Sequence, residues 1–382
     1  MKPAVRSNKN ALLAALLVGG FGLWWYFKPF PWLGAIMGLF GGGFTYLVLT
    51  TKRMERCRRV YYIGLFGVAL VGLTLIISNM GLTDFLSWAA SHQKEYYLPG
   101  QSLGVLSYPC TREITQVFFG RAVFLPGLGL WQTTFPSSMK SFLIVMVPFV
   151  ITGVVFGRGF CGWLCPFGGL NEAMVTGKKE RWNLKFAKEG APTDSEYPYT
   201  GLKGWVKDIK YGVLLSIVLL SVSLAFPVVC VFCPTFWLSA MPLFWVIMGL
   251  IILFAIILPF MTKHRWWCHV CPLGAVFALF NKISFFQIKI DKKKCIKCLD
   301  CVQECRMYAL TPDAVQGQGT PSADCIRCGR CIETCPEEAV DMYLLGTSRK
   351  VRSIFISLAI AAGIAWYIWF IDILANKIAI SL

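Results

Sequence analysis

Residues 295–305 read CIKCLDCVQEC and residues 325–335 read CIRCGRCIETC. Both are C-x2-C-x2-C-x3-C. Three thiolates on one tight loop suit one [4Fe–4S] cube, while the fourth cysteine, at a helix start, serves the other cube. The spacing therefore assigns Cys295, Cys298, Cys301 and Cys335 to one cluster, and Cys325, Cys328, Cys331 and Cys305 to a second. Zinc knuckles share C-x2-C. Eight cysteines in two copies of one eleven-residue pattern favour iron–sulfur chemistry instead.

Across residues 287–342 these runs resemble a bacterial-type two-cluster ferredoxin. The second copy has the proline of that pattern, Pro336, and the first has Arg306 in its place. A cation there is expected to raise the potential of the cluster fed by Cys305. Such a module passes single electrons and does no bond chemistry on a substrate.

Three further cysteine pairs lie outside this segment: Cys161/Cys165 in GFCGWLCPFGG, Cys230/Cys233 in VVCVFCPTF and Cys268/Cys271 in WWCHVCPLGA. Each ends in Cys-Pro. A proline after a ligand stops one helix or starts the next, and so fixes a thiolate loop. The first and third pairs form an internal repeat, each preceded by a basic residue, Arg158 or Arg265, and each closing on C-P-(Phe/Leu)-G. Together Cys161, Cys165, Cys268 and Cys271 make a candidate third cluster. Cys230, Cys233 and Cys110 are a candidate outer redox centre, with a disulfide as the rival reading. Isolated Cys57 reads as core.

Composition widens the picture. Of 382 residues, 56% are hydrophobic and only 15% charged, and mean hydropathy is +0.60. A soluble domain runs about 25% charged, so the expectation is a mostly α, polytopic helical membrane protein. Seven apolar stretches, 11–27, 31–50, 60–80, 141–157, 211–229, 238–261 and 353–376, approach the ~20 residues of a span. The first reads as a span and not as a removed signal peptide. Lys and Arg concentrate in the N-terminus, 51–59, 158–210 and 262–352, which the positive-inside rule places in the cytoplasm. The expected organisation is a membrane helical part with Cys-Pro motifs over 1–286, the two-cluster module over 287–342, and a C-terminal membrane helix over 343–382. The expected site is the cytoplasmic membrane, with the module and the N-terminus inside. The net charge of +17 is absorbed by topology, and no base-reading motif points to nucleic acid.

Only His92, His264 and His269 occur, and none sits mid-span, so haem is not expected. No C-x-x-C-H or strand-linked G-x-G-x-x-G is present. His269, between Cys268 and Cys271, is a candidate proton acceptor or ligand, against the plainer reading of a local hydrogen bond. Asp372 is the lone acid in the last apolar stretch.

The combination of GRGFCGWLCPFG, HRWWCHVCPLGA and a C-terminal two-cluster insert resembles the NapH/NosR-type membrane iron–sulfur proteins, the polyferredoxin-like quinol dehydrogenases and their relatives. The likeness spans about residues 141–342. It implies redox roles for Cys161, Cys165 and the eight cysteines of the insert, and a relay between the quinone pool or a membrane redox subunit and a partner reductase, within a larger complex. The chain departs from the pattern in the C-x2-C spacing of 268/271, in the extra pair 230/233, and in lacking a large flavin domain. A redox assembly factor for a respiratory metalloenzyme is the alternative function. A pump subunit fits poorly, because acids at membrane depth are too few.

Overall fold

The computed structural model describes residues 8–27, 31–51, 54–62, 64, 121–125, 130–134, 139–175, 181–182, 184–190, 199–224, 249 and 252–365. Helices α1 (Asn8–Phe27) and α2 (Pro31–Thr50) pack through glycine. A Cβ on Gly42 would stand 2.9 Å from the Ala15 carbonyl oxygen, and one on Gly38 2.8 Å from that of Gly19. The missing side chains let the backbones approach. Residues 54–62 are helical and bury Arg58, Tyr61 and Tyr62.

A short antiparallel hairpin follows, β1 (Arg121–Leu125) with β2 (Leu130–Thr134). Helix α3 (Met139–Phe156) stops at Gly157, whose φ of +48° is left-handed. Next come α4 (Gly159–Trp163) and α5 (Pro166–Met174). The pair β3 (Lys188–Gly190) and β4 (Tyr199–Leu202) leads into α6 (Gly204–Leu224). A π-turn over Leu253–Ile257 runs into α7 (Leu258–Thr262), which ends on Lys263 at φ 60°. The short α8 (Trp267–Val270) and α9 (Pro272–Phe280) complete this half.

Strand β5 (Phe286–Ile290) then opens an insert closed by β6 (Val340–Leu344), antiparallel, with Phe286 opposite Leu344 and Ile290 opposite Val340. Between them lie α10 (Asp300–Gln303), α11 (Pro312–Gln316) and α12 (Arg330–Thr334). Phe286, Ile288 and Ile290 alternate inward along β5, the period-2 pattern of a half-buried strand. They join one continuous core with Phe160, Trp163, Phe277 and Phe355. Phe160 and Phe277 stack at 4.6 Å, and Phe286 meets Phe355 at 5.2 Å. The insert and the helices beneath it therefore share a single interior.

The expectation of a polytopic protein with about seven spans is corrected. Among the described residues no helix is long and apolar enough to cross a membrane. Hydropathy sums apolar residues without seeing where helices begin and break. Helix α6 spends its first two turns on Lys207, Asp208 and Lys210. The described end of stretch 238–261 divides into a π-turn and the five-residue α7. Most of 60–80 and 238–261, and the ends of 211–229 and 353–376, lie outside the described residues.

Candidate metal centre

The two cysteine runs fold alike. In each, the second and fourth residues after the first cysteine take left-handed backbone: Lys297 and Leu299 in one, Arg327 and Gly329 in the other. The third residue after the fourth cysteine does so too, as Tyr308 and Glu338. Left-handed turns curl each loop so that three sulfurs face one point. Ala309 N–H donates to Cys305 Sγ and Ala339 N–H to Cys335 Sγ, both at 3.3 Å.

Cys295, Cys298, Cys301 and Cys335 line one cavity. Cys305, Cys325, Cys328 and Cys331 line another. The fourth cysteine of each run thus stands with the other run's loop. Burial, then neighbouring Cys298 and Cys335, push the Cys301 thiol up to about 12. Burial does the same at Cys325, also to about 12. Four convergent thiols resist ionising together; bound iron supplies the positive charge that makes thiolates of them. Among the described residues no group of three or more His, Cys, Asp or Glu is placed to hold a single metal ion. The donor set around each cavity, four sulfurs, fits a multi-iron cluster.

The two Cys-Pro units also repeat in space. Cys165 and Cys271 are both extended, at φ/ψ −70°/119° and −64°/124°, and each caps a helix that opens on proline. A Cβ on Gly168 would collide with the Cys161 carbonyl oxygen, and one on Gly274 would lie 3.1 Å from that of Cys268. The glycine of C-P-x-G is therefore the place where the first cysteine's carbonyl folds back over the new helix. The units grip one another reciprocally. Arg158 Nη2 donates to the Cys268 carbonyl, and Arg265 Nη2 donates to the Gly168 carbonyl. Burial raises the Cys161 thiol well above its ordinary value, and Cys268, Cys165 and Cys271 add to it. The two units thus lie against each other, with the thiols of Cys268, Cys165 and Cys271 acting on that of Cys161.

That region lies against the second cavity. A Cβ on Gly162 would run into the Ile326 carbonyl, and Trp163 Nε1 donates to the Arg327 carbonyl at 2.9 Å. Arg158 and Lys210 both pair with Asp324, next to Cys325. Asn281 Nδ2 donates to the carbonyls of Ala323 and Cys325 at 3.0 Å each, and its Oδ1 accepts from Arg158 N–H at 3.2 Å. Arg58 pairs with Glu172 at 2.9 Å and donates to the Gly162 carbonyl at 2.7 Å, while Arg265 pairs with Glu172 at 3.4 Å. Burial favours a neutral Glu172, but Arg58 and then Arg265 outweigh it and hold the carboxyl well below the usual range. Tyr308 hydrogen-bonds His264, and Arg306 reaches the Lys263 carbonyl at 3.4 Å.

The cysteine spacing marks the ligands, whereas Arg58 and Lys210 stand out in the sequence only as loop charges, and Glu172, Asn281 and Asp324 carry no motif. One signal was available for the arginines: Arg158 and Arg265 each stand three residues before the first cysteine of a pair. His269 is buried, with neither ring nitrogen hydrogen-bonded. Burial and then Arg158 lower its pKa to about 3, so the ring is neutral. Cys57 is half-buried, its Sγ 3.5 Å from Thr51 Oγ1. Cys110, Cys230, Cys233, His92 and Asp372 lie outside the described residues.

A 4Fe-4S binding domain model matches residues 139–183 and again 245–293, one match over each Cys-Pro unit. A 4Fe-4S dicluster domain model matches residues 287–336. An uncharacterized protein of Methanocaldococcus jannaschii is 31% identical over 60% of this chain and 93% of its own length. The ferredoxin-type protein NapH of Haemophilus influenzae is 26% identical over 48% of this chain and 62% of its own length. The regulatory protein NosR of Stutzerimonas stutzeri is 25% identical over 55% of this chain and 28% of its own length. No solved structure matches the chain. The matched domains and relatives support iron–sulfur electron transfer. By these matches the chain belongs to the NapH/NosR-type family of iron–sulfur proteins.

Proposed function

We propose that the chain relays single electrons through two [4Fe–4S] clusters and a third thiolate centre to a redox partner. Cys295, Cys298, Cys301 and Cys335 hold the first cluster; Cys325, Cys328, Cys331 and Cys305 hold the second. Cys161, Cys165, Cys268 and Cys271 hold the third centre. When bound, these groups take up and release one electron at a time. The protein's own part is to fix the sulfurs, exclude water and hold the loops in contact. Gly162 packed on the Ile326 carbonyl carries the reading, because it sets the Cys161–Cys165 loop directly on the Cys325–Cys328 loop. A quinone or membrane-held redox subunit takes the far end of the relay, and a reductase partner the other. The outward Leu13, Leu16 and Leu17 of α1 give the chain an apolar face, which supports an apolar partner.

Anaerobic purification with iron analysis and low-temperature EPR tests the reading. The two cubes alone give about eight irons per chain, and the third centre gives more. Replacing Cys161 and Cys271 with serine removes the excess iron and one resonance while the other signals stay. Iron fixed at about eight, with every resonance retained in the double variant, overturns the third centre.

A further inference from the structure

The two cavities in the insert differ in charge. Around Cys295, Cys298, Cys301 and Cys335 the walls are Ile290, Leu299, Val315 and Val340, and the one charged lining residue is Glu337. Around Cys305, Cys325, Cys328 and Cys331 stand Arg265, Arg306 and Arg330, against Glu172. Arg330 is balanced by Glu304 at 2.7 Å and Glu55 at 3.4 Å. Glu172 is shared between Arg265 and Arg58. Arg306 forms no ion pair among the described residues, and its Nε is buried without a hydrogen bond. Positive charge is therefore left over at the second set.

We infer that Arg306 and Arg265 set the reduction potential of the group held by Cys305, Cys325, Cys328 and Cys331 above that of the group held by Cys295, Cys298, Cys301 and Cys335. The inference rests on the proposal that both sets hold [4Fe–4S] clusters, and it adds the direction of flow. An added electron makes a cube more negative, and net charge and hydrogen bonding around the sulfurs move the potential accordingly. Two effects oppose the asymmetry. Cys298 is exposed, and water also stabilises a reduced cube. Lys292, Lys293, Lys294 and Lys297 flank the first set, but they stand in solvent, where salt screens them. A charge acting at an effective dielectric of about 20 is felt about four times as strongly as in bulk water, so buried Arg265 and half-buried Arg306 outweigh the solvent-exposed lysines. Exposed Cys298 and its exposed neighbour Ile296 mark where a donor delivers the electron. The arginines hold it at the set that touches the Cys161–Cys165 loop.

Arg306 lines the cavity with Cys305, and Arg306→Gln removes the charge while leaving a shorter, still polar side chain. EPR-monitored redox titration of the anaerobically purified full chain is expected to give two separate midpoints for the two insert clusters, beside any signal of the Cys161/Cys165/Cys268/Cys271 centre. Arg306→Gln moves the higher one down and leaves the lower in place, while Arg306→Lys keeps most of the wild-type separation. Raising ionic strength shifts the lower midpoint more than the higher. With the about eight irons of the two insert cubes retained, a single shared midpoint for those cubes, or a Gln variant that moves only the lower midpoint or neither, overturns the inference. A chain that binds no four-iron clusters after reconstitution with iron and sulfide overturns the ligand assignment itself.

Discussion

Arg158, in the first Cys-Pro unit, donates through Nη2 to the carbonyl of Cys268 in the second, while its Nη1 pairs with Asp324 of the insert. One fully buried side chain thus ties three separate segments. Removing one member of a buried, hydrogen-bonded pair costs about 3–5 kcal/mol, because the partner stays behind unpaired. Lys210 remains on Asp324, so Arg158→Gln belongs at the low end, near 3 kcal/mol. Arg158→Lys recovers little, since an ammonium cannot reach two acceptors as a planar fork does. Denaturant unfolding followed by tryptophan fluorescence measures both. A Lys variant as stable as wild type would remove the bridging role.

The two Cys-Pro glycines are expected to respond unequally. A methyl at Gly168 collides with the backbone carbonyl of Cys161, whereas at Gly274 it sits 3.1 Å from that of Cys268. Gly168→Ala therefore forces the loop apart and loses iron from the Cys161/Cys165/Cys268/Cys271 centre. Gly274→Ala needs a shift of a few tenths of an ångström and keeps most of it. Iron per chain in the two purified variants decides the order.

Stability on the acid side depends on Glu172. Its pKa is depressed in the fold, since Arg58 and Arg265 outweigh the burial that would raise it. Its contribution is then complete above the ordinary glutamate value of about 4.3 and fades as pH falls from there through the lowered folded value. Glu172→Gln is less stable at pH 7, and its stability curve converges on that of wild type as the medium is acidified. Thermal midpoints of the two chains from pH 7 down to pH 3 provide the check; curves that stay parallel would contradict it.

Asn281 satisfies two carbonyls, at Ala323 and Cys325, and the backbone N–H of Arg158. Asn281→Ala leaves these groups buried and unpaired, at about 1–3 kcal/mol each when no water replaces the amide. Asn281→Asp keeps the acceptor but loses both donors, and it adds a charge near Asp324. Both variants should release iron from the Cys325 side faster than from the Cys295 side under chelator, read as loss of one EPR signal before the other.

The iron–sulfur character of the chain is legible in the cysteine spacing, because loop closure around a cube demands those intervals and little else uses them. The repeat of the Cys-Pro units is legible for a similar reason: proline and glycine have fixed backbone consequences, and both units carry them. Helix length is not legible from composition alone. Asn8, Lys9 and Asn10 begin α1, and Lys207, Asp208 and Lys210 begin α6, so each helix starts on polar residues that a count of its apolar stretch leaves out. Nor is the charge network. Arg58, Glu172, Arg265 and Asp324 come from four distant segments, and no period or spacing connects residues that meet only after packing.

Strands β5 and β6 lie side by side, and Leu345 N–H donates to the Phe285 carbonyl at 2.7 Å. The chain therefore leaves the helical half and returns to it at a single point. A cassette of this kind can be exchanged for another of different length without parting Phe156 and Trp163 from Phe355 of the helix over 352–365. The graft must still bring its own acid for Arg158 and its own hydroxyl for His264, or the splice will hold while the docking fails.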